Sequence, residues 1–243
     1  MYQIYMDKYY YKYLKYKKKY LELKENKDKS NETNYILTLK KLYPSCVHDH
    51  GTIEYADIDE IKKQEYATTY GEMDYPAIEL FNNKFNPHNE IKYFIDFGSG
   101  RGKLPLFMAF YVDKSFGIEL VKNRHDDAVK LKEQLAKEYS KFTNKVELLN
   151  TDMFDFLKTI NKNTFKSPVL IWISNLCFSE KITSRLFNEL LAKMPSGSII
   201  GCSKIPNVIP EGIIPLNNEN GTNKLIVKMS WSETSVIYIY KIK

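Results

Sequence analysis

From residue 91 onward, short apolar runs alternate with longer amphipathic stretches. The apolar runs predict strands over Ile91–Phe97, Ser115–Glu119, Val146–Leu149, Val169–Ser174 and Ser198–Ser203. Helical patterns lie between them, and in the longest, Val121–Phe142, apolar residues recur at helical spacing. Apolar strands that alternate with helices are typical of a parallel sheet covered on both faces. The pattern therefore predicts a doubly wound α/β domain.

The pattern changes after the fifth predicted strand. Lys204–Asn223 is rich in Pro, Asn and Gly and is predicted to be a long loop. Two β-rich runs follow, Lys224–Ser230 and Ser235–Lys241, and no helical stretch separates them. Such a pair predicts an antiparallel hairpin at the sheet edge. The expected fold is a sheet of seven strands, mostly parallel, with an antiparallel C-terminal hairpin.

The N-terminal segment has a different composition. Residues 2–23 predict a helix with one apolar stripe, formed by Tyr2, Met6, Tyr9, Tyr13, Tyr16, Tyr20 and Leu23. Residues 1–30 hold nine Lys and four acidic residues, which is +5 of the net charge of +6. A basic arm on a nearly neutral body indicates an anionic partner such as DNA, or otherwise a solvated helix face. The stripe itself favours packing against the body or a partner helix.

These patterns predict three regions. Residues 1–34 are a basic helix and linker, 35–90 are mixed helical and irregular, and 91–243 form the sheet domain. Three cysteines are too few for a disulfide framework, and no apolar stretch reaches the roughly 18 residues of a membrane span. We therefore expect an intracellular protein that is neither secreted nor membrane-bound. His48 and His50 lie near Cys46, but without further ligands at fitting spacing we expect no metal site.

The chemistry is indicated by the turn after the first strand, Asp96-Phe97-Gly98-Ser99-Gly100-Arg101-Gly102-Lys103. A dinucleotide-binding fingerprint requires a third Gly where Lys103 stands, and a P-loop requires Gly and Ser or Thr where Phe97 and Leu104 stand. The pattern Asp-x-Gly-x-Gly-x-Gly resembles the first motif of class I methyltransferases. That resemblance implies S-adenosylmethionine as cofactor, close to the backbone of the turn.

The same resemblance assigns further residues to the cofactor. Asp96 is expected near the cofactor's ammonium group, and Glu119, at the end of the second strand, near the ribose hydroxyls. Asp152 follows the third strand and is expected to face the adenine amino group, with Met153 against the ring. The turn contributes Gly98, Ser99, Gly100, Gly102 and Lys103. All three acids lie at or directly after the carboxyl ends of strands, where open α/β sheets bind their ligands.

A second group of motifs narrows the family. The run after the fourth strand, Ser174-Asn175-Leu176-Cys177-Phe178, lacks the Pro-Pro of methylases that act on adenine N6 or glutamine amides. Together with Ser203-Lys204, Tyr70-Gly71-Glu72 and Ser230-Trp231 before Tyr238, it resembles the non-SET histone-lysine methyltransferases, the disruptor-of-telomeric-silencing family. The resemblance covers about residues 60–243. The chain departs from that family at Lys103, where members have Gln, at Met153 and Leu176, where they have aromatic residues, and in the loop 204–223, which holds no Arg.

The resemblance implies a mechanism. Tyr70, Gly71 and Glu72 would close over the cofactor, and Asn175 would lie beside the transferable methyl and orient the amine through its carbonyl oxygen. Phe178, Trp231 and Tyr238 would line an aromatic channel for the target lysine. Such a channel disfavours the ammonium form, so that the lysine loses its proton before attack. The expected substrate is a nucleosomal histone lysine, in the core of histone H3 or on another histone such as H4.

Two other hypotheses stay open. The chain is also compatible with a class I methyltransferase that acts on RNA or a non-histone protein, and with a catalytically silent chromatin-binding module. The width of the channel at Trp231 and Tyr238 distinguishes the first two. The intact Asp96, Glu119, Asp152 and Asn175 argue against the third. A chromatin substrate predicts a nuclear location, or a host nucleus or viral factory if this compact chain comes from a large DNA virus.

Overall fold

A computed structural model describes residues 33–44, 71–176, 178–230 and 232–243 of the chain. The chain forms two compact units, Met1–Thr38 and Leu39–Lys243. Of the first unit only residues 33–38 are described, and they begin a helix over residues 33–42 (α1). Several sequence predictions lie outside the described residues: the helix 2–23, the segment around His48 and His50, and Tyr70, Cys177 and Trp231.

The remaining described elements alternate as the sequence predicts. The helices are α2 (Tyr75–Phe85), α3 (Lys103–Met108), α4 (Lys122–Thr143), α5 (Met153–Thr159) and α6 (Glu180–Lys193). The strands are β1 (Tyr93–Phe97), β2 (Lys114–Glu119), β3 (Val146–Asn150), β4 (Val169–Ile173), β5 (Ile199–Cys202), β6 (Ile213–Pro215), β7 (Lys224–Met229) and β8 (Ser232–Ile242). The ends of β1 to β5 fall within two residues of the predicted ones.

All described strands belong to one sheet, in the order β3-β2-β1-β4-β5-β8-β6, with β7 also paired to β8. The strands β1 to β5 are parallel to one another, and β8 runs antiparallel to β5. One side of β8 pairs with β5 through Tyr238–Lys241, and the other side pairs with β7 and then β6. The doubly wound, mostly parallel fold with an antiparallel C-terminal edge is confirmed.

Two details differ from the sequence prediction. The sheet has eight strands rather than seven, because the predicted loop 204–223 contains the three-residue strand β6. The predicted hairpin of β7 and β8 forms, but β8 lies inside the sheet between β5 and β6. The strand β6 is too short to leave a sequence pattern. It is held by backbone pairing to the end of β8 and by the buried side chain of Ile213.

Helices cover both faces of the central strands, as the wholly apolar β4 requires. Ile171 and Ile173 pack into a cluster with side chains of α5 and α6. Trp172 points to the other face, where its ring lies 5.9 Å from that of Phe81 on α2. Asp96 is the register partner of Trp172 and shares that face. The strand alternation thus directs the single acid of β1 away from the larger apolar cluster.

Candidate active site

The Gly-rich turn leaves β1 in a conformation that its glycines make possible. Gly98, Gly100 and Gly102 have φ angles of 84°, 54° and 79°, a region that L side chains rarely adopt. A Cβ on Gly102 would lie 2.8 Å from the Cβ of Ala128, so the turn also packs tightly against α4. A Cβ on Gly98 would meet nothing within 4 Å. The turn therefore packs tightly against α4 at Gly102, whereas its backbone borders open space at Gly98.

Glu119 fastens this turn to the end of β2. Its Oε2 accepts a hydrogen bond from the Gly100 N–H at 2.7 Å, and its Oε1 accepts one from the Val121 N–H at 2.8 Å. Burial raises the pKa of Glu119, whereas these N–H groups and the charge of Arg124 lower it. Glu119 thus has a structural role at the turn in addition to the ribose contact expected from its position.

Asp96 lies at the end of β1 with only 3% of its surface exposed. Its Oδ1 has no hydrogen-bond partner among the described residues. Burial raises its pKa well above the usual value, and the charges of Glu119 and Glu72 raise it further. A buried carboxylate oxygen that lacks a partner is costly, and a cationic ligand beside it removes that cost.

A cavity opens at this carboxylate, at the carboxyl ends of β1 and β4. Six of the predicted cofactor residues line it, namely Gly71, Glu72, Asp96, Gly98, Ser99 and Lys103. Met73, Leu104, Trp172 and Ser174 complete the lining. Gly100, Gly102, Glu119, Asp152, Met153 and Asn175 are not among the lining residues. The structure thus brings part of the Gly-rich turn and the predicted closing segment together at one cavity, and their contact with the cofactor stays a prediction.

Lys103 and Glu72 form a buried ion pair in the wall of this cavity. The Lys103 Nζ lies 2.7 Å from Oε2 of Glu72, and the two side chains are 3% and 9% exposed. The Tyr43 hydroxyl donates to Oε1 of Glu72. The ammonium also lies 5.6 Å and 5.3 Å from the ring centres of Tyr43 and Tyr75. Both oxygens of Glu72 therefore already accept hydrogen bonds from the protein itself.

The predicted closing segment is bound to the C-terminal hairpin. The Glu72 N–H donates to the Ser230 hydroxyl at 2.9 Å, and the Ser230 N–H donates to the Glu72 carbonyl at 2.8 Å. The Asp74 N–H donates to the Lys228 carbonyl at 3.2 Å. Met73 forms an antiparallel bridge with Met229. The segment 71–74 therefore extends the sheet beside β7 and forms one wall of the cavity.

Asp152 caps a helix. Its Oδ1 accepts hydrogen bonds from the backbone N–H groups of Phe154 at 2.7 Å and Asp155 at 3.3 Å. It is thus the N-cap of α5, whose first residue, Met153, is 8% exposed. Capping is a common use of Asp at a strand-to-helix junction. The expected contact with adenine stays a prediction beside this structural role.

Asn175 joins the loops that follow β4 and β5. Its Oδ1 accepts hydrogen bonds from the backbone N–H groups of Ser203 at 3.0 Å and Lys204 at 2.9 Å, and its Nδ2 donates to the Lys204 carbonyl at 2.9 Å. The side chain is fully buried. Its carbonyl oxygen, which was expected to orient the substrate amine, thus already binds two backbone donors. These contacts favour a positioning role for Asn175, and its place beside the transferable methyl stays a prediction.

Two of the three predicted channel residues are described. Phe178 and Tyr238 are half-buried and pack against the same apolar cluster. Tyr238 is the register partner of Cys202, at the carboxyl end of β5. The Lys204 ammonium donates to the Phe178 carbonyl at 3.5 Å. Both aromatic residues therefore lie at the edge of the sheet that carries the cavity, and the channel itself stays a prediction.

Sequence reasoning missed several residues that line or support the cavity. Trp172 and Ser174 follow from strand alternation once β1 is aligned with β4, because Trp172 is the register partner of Asp96. Tyr43 left no recognisable signal, since it is one of 19 tyrosines and lies far from every motif. Within the described ranges, no group of His, Cys, Asp or Glu is suited to hold a metal ion. None of the described helices has the length and apolarity to cross a membrane.

A Gly-rich turn after β1 and acids at the carboxyl ends of β1, β2 and β3 of a doubly wound sheet define a class I S-adenosylmethionine-dependent methyltransferase. A solved structure of another protein shares the fold, and two more resemble the chain less closely. The chain is 14% identical to yhhF of Escherichia coli, assigned as a methyltransferase, with a TM-score of 0.52 over 70% of this chain and 86% of that one. An RNA methyltransferase from Salinibacter ruber, bound to S-adenosylhomocysteine, is 14% identical with a TM-score of 0.46 over 69% and 91%. Magnesium protoporphyrin IX methyltransferase from Synechocystis, bound to S-adenosylmethionine, is 12% identical with a TM-score of 0.48 over 79% and 86%.

The family is shown by a more specific match. The family model of the histone methylation protein DOT1 matches residues 53–240. The chain therefore belongs to the DOT1 histone methylation family, and it is a methyltransferase whose cofactor is S-adenosylmethionine. The search of curated proteins gave no match.

Proposed function

We propose that the chain methylates a lysine of a nucleosomal histone, in the core of histone H3 or, as the second candidate, on histone H4. The observation that supports this most is the family match over residues 53–240, on a sheet whose cavity contains the unpartnered Asp96 oxygen. A nuclear location follows from a chromatin substrate. The alternatives, a methyltransferase of RNA or of a non-histone protein and a silent chromatin-binding module, are outcomes of the assay below.

The cavity residues fit the amino-acid end of the cofactor. Asp96 offers a buried carboxylate oxygen for the ammonium group, and the space at Gly98 lets the ligand approach the backbone. Lys103 would bind the cofactor's carboxylate, because its ammonium lies in the cavity wall and has three donors. Glu72 would act by orienting Lys103. We assign the surrounding contacts to Tyr70, Gly71, Ser99, Gly100 and Gly102, the ribose to Glu119, and the adenine to Asp152 and Met153.

The bound cofactor supplies an electrophilic methyl group on its sulfonium. The chain's own residues align the amine and keep it neutral. Asn175 fixes the loops after β4 and β5 through three hydrogen bonds, so that Phe178 stands at a defined place. The aromatic rings of Phe178, Trp231 and Tyr238 would surround the lysine and lower its pKa. Proton loss to water then precedes attack, and alignment supplies much of the rate.

A methylation assay tests the proposal. The purified chain is incubated with methyl-labelled cofactor and, separately, with nucleosomes, free histones, RNA and DNA, and the modified residue is mapped by mass spectrometry. We expect label on a histone lysine, with nucleosomes as the best substrate. Asp96→Asn serves as the inactive control, because it removes the charge that faces the cofactor. Label on RNA or on no substrate would contradict the proposal, and cofactor binding without any transfer would favour the silent module.

A further inference from the structure

Ser230 is the residue through which the β7–β8 hairpin binds the closing segment. Its hydroxyl accepts from the Glu72 N–H at 2.9 Å, and its own N–H donates to the Glu72 carbonyl at 2.8 Å. Both main-chain groups of Glu72 are therefore bound by one residue 158 positions away in the sequence. We call this pair of hydrogen bonds the Ser230 clasp.

The side chain of Glu72 extends from the clasp to the cofactor turn. Its carboxylate binds the ammonium of Lys103 at 2.7 Å, and Lys103 begins α3 directly after Gly102. In the other direction, Ser230 directly precedes Trp231, the residue assigned above to the lysine channel. Glu72 thus connects the cofactor turn with the hairpin by hydrogen bonds and one buried ion pair.

The hairpin does not require the Ser230 hydroxyl for its own closure. The strands β7 and β8 already pair through their backbones up to Met229 and Ser232. Nor does the ion pair require it, since Lys103 and Glu72 meet through their side chains. What the hydroxyl adds is an acceptor for the Glu72 N–H, which fixes where the backbone of the cavity wall lies.

We propose that Ser230 is a positioning residue for methyl transfer, which holds Glu72 and the hairpin in one arrangement so that the cofactor wall and the lysine channel are aligned together. The part of this proposal that concerns the lysine channel rests on the proposed function. The expected effect on binding requires only that the cavity binds the cofactor. Without the hydroxyl, the Glu72 N–H loses this hydrogen bond and the segment 71–74 loosens, so that the ion pair of Glu72 with Lys103 still forms but at a less defined place in the cavity wall.

The first test compares Ser230→Ala with Ser230→Thr, which keeps the hydroxyl. Calorimetry with S-adenosylhomocysteine should show about a three- to tenfold weaker Kd for Ser230→Ala, the usual range for one lost neutral hydrogen bond, and near wild-type binding for Ser230→Thr. The matched control is Ser232→Ala, since the Ser232 hydroxyl accepts only a local hydrogen bond, from the Thr234 N–H at 3.2 Å, among the contacts described. In a Lys103→Met background, Ser230→Ala should have a smaller effect, because both act through Glu72.

The second test needs no variant. Hydrogen exchange of the wild-type chain with and without S-adenosylhomocysteine should show slower exchange in residues 71–74 and in residues 228–230 together. Protection of the first segment alone would overturn the proposal, as would wild-type affinity in Ser230→Ala or equal losses in Ser230→Ala and Ser232→Ala. Nucleosome methylation should show a raised KM for Ser230→Ala. A wild-type chain that binds S-adenosylhomocysteine but modifies no histone contradicts the proposed function instead. The calorimetry and the hydrogen exchange then still test the role of Ser230 in binding.

Discussion

At the scale of single residues, Asp96 carries the clearest physical signature of a ligand. Its carboxylate is buried beside the acids Glu119 and Glu72, and the main cation in that wall, Lys103, is bound to Glu72. Burial and these two negative charges raise its pKa. The arrangement is unfavourable for the protein alone and favourable once a cation is present. Residues of this kind are retained for function at a cost in stability.

The raised pKa of Asp96 has a defined sign for stability. Because the folded-state pKa exceeds the unfolded one, the folded protein binds the proton more tightly, and this contribution to stability is complete below the unfolded pKa. It is lost as the pH rises through the folded pKa. The cofactor's ammonium prefers the charged carboxylate, so cofactor affinity changes in the opposite direction and increases as the pH rises over that range.

Asp96→Asn should therefore separate stability from binding. At neutral pH we expect Tm to rise by about 2–6 °C, because a buried charge is removed, and cofactor affinity to fall by roughly 10- to 100-fold. The rise of affinity with pH should disappear. Calorimetry at several pH values and a thermal melt measure all three. A variant that keeps the pH dependence of affinity would show that Asp96 does not face the cofactor's ammonium, and a less stable variant would show that the buried carboxylate is not unfavourable in the protein alone.

The sequence motif predicts where Asn175 lies, but its hydrogen bonds change the role that we expect for it. The family resemblance places it beside the transferable methyl, where its loss would affect rate more than fold. Its three hydrogen bonds to Ser203 and Lys204 instead predict that Asn175→Ala lowers turnover and also destabilises the protein by about 1–3 kcal/mol, because buried backbone groups lose their partners. Denaturant unfolding and kinetics measure the two effects.

A suitable control for Asn175 is Asn188→Ala. The Asn188 side chain is exposed and donates only to the Ser184 carbonyl of its own helix among the contacts described. It should change neither turnover nor the free energy of unfolding by more than about 0.5 kcal/mol. If Asn175→Ala lowers turnover with an unchanged unfolding midpoint, the loops do not depend on Asn175 and a direct catalytic contact is the better interpretation.

At the scale of elements, the junction of β3 and α5 combines two requirements in Asp152. The helix needs a cap for its first N–H groups, and the proposed adenine contact needs a carboxylate. Ser satisfies the first requirement and not the second, whereas Ala satisfies neither. The two substitutions therefore distinguish a structural role from a binding role.

We expect Asp152→Ala to lose about 1 kcal/mol of stability and to weaken cofactor binding, and Asp152→Ser to keep the stability while binding is equally weak. Thermal melts and calorimetry measure the two properties. Ser179→Ala is the matched control, because Ser179 caps α6 by accepting from the Ile182 N–H at 3.3 Å. That variant should lose stability alone. Wild-type affinity in Asp152→Ser would limit Asp152 to capping.

At the scale of the whole molecule, the distribution of charge is the feature that the described sheet does not explain. Residues 1–30 carry +5 of the net +6. If these lysines contact DNA phosphates, binding releases counterions and weakens steeply with added salt. The lysines of residues 1–28 lie outside the described residues, so the contact is a prediction from sequence.

Replacing Lys12, Lys15 and Lys19 by Gln should reduce the slope of log affinity against log salt concentration for nucleosome binding by roughly 2–3. Deletion of residues 1–28 should reduce this slope further. Cofactor affinity should not change, because the cofactor motifs all follow residue 69. The matched control replaces Lys158, Lys162 and Lys166, which are exposed and precede β4 at the edge of the sheet opposite the cavity. An unchanged slope in the first triple variant would contradict the DNA contact, and lost stability on deletion would favour a structural brace.

The sequence by itself determined the class of fold and selected the residues of the candidate site. Strand alternation and helical periodicity are local, so β1 to β5 and the helices between them follow from hydrophobic pattern alone. The Gly-rich turn and the acids after three strands are also local signals, and parallel strands bring their carboxyl ends together. Asp96, Gly98, Ser99 and Lys103 line a common cavity, and their contact with the cofactor stays a prediction.

Only the tertiary structure decided which groups of the candidate site already have hydrogen-bond partners within the protein. The strand β6 forms because β8 offers a free edge, and nothing within three residues encodes that edge. Glu72 meets Lys103, Tyr43 and Ser230 across 31, 29 and 158 residues, and such contacts leave no periodicity in a single sequence. The same holds for Asn175. Its motif marks its position but not its contact with Ser203, 28 positions further along the chain. Local chemistry selects the residues of the site, and long-range packing assigns their hydrogen bonds.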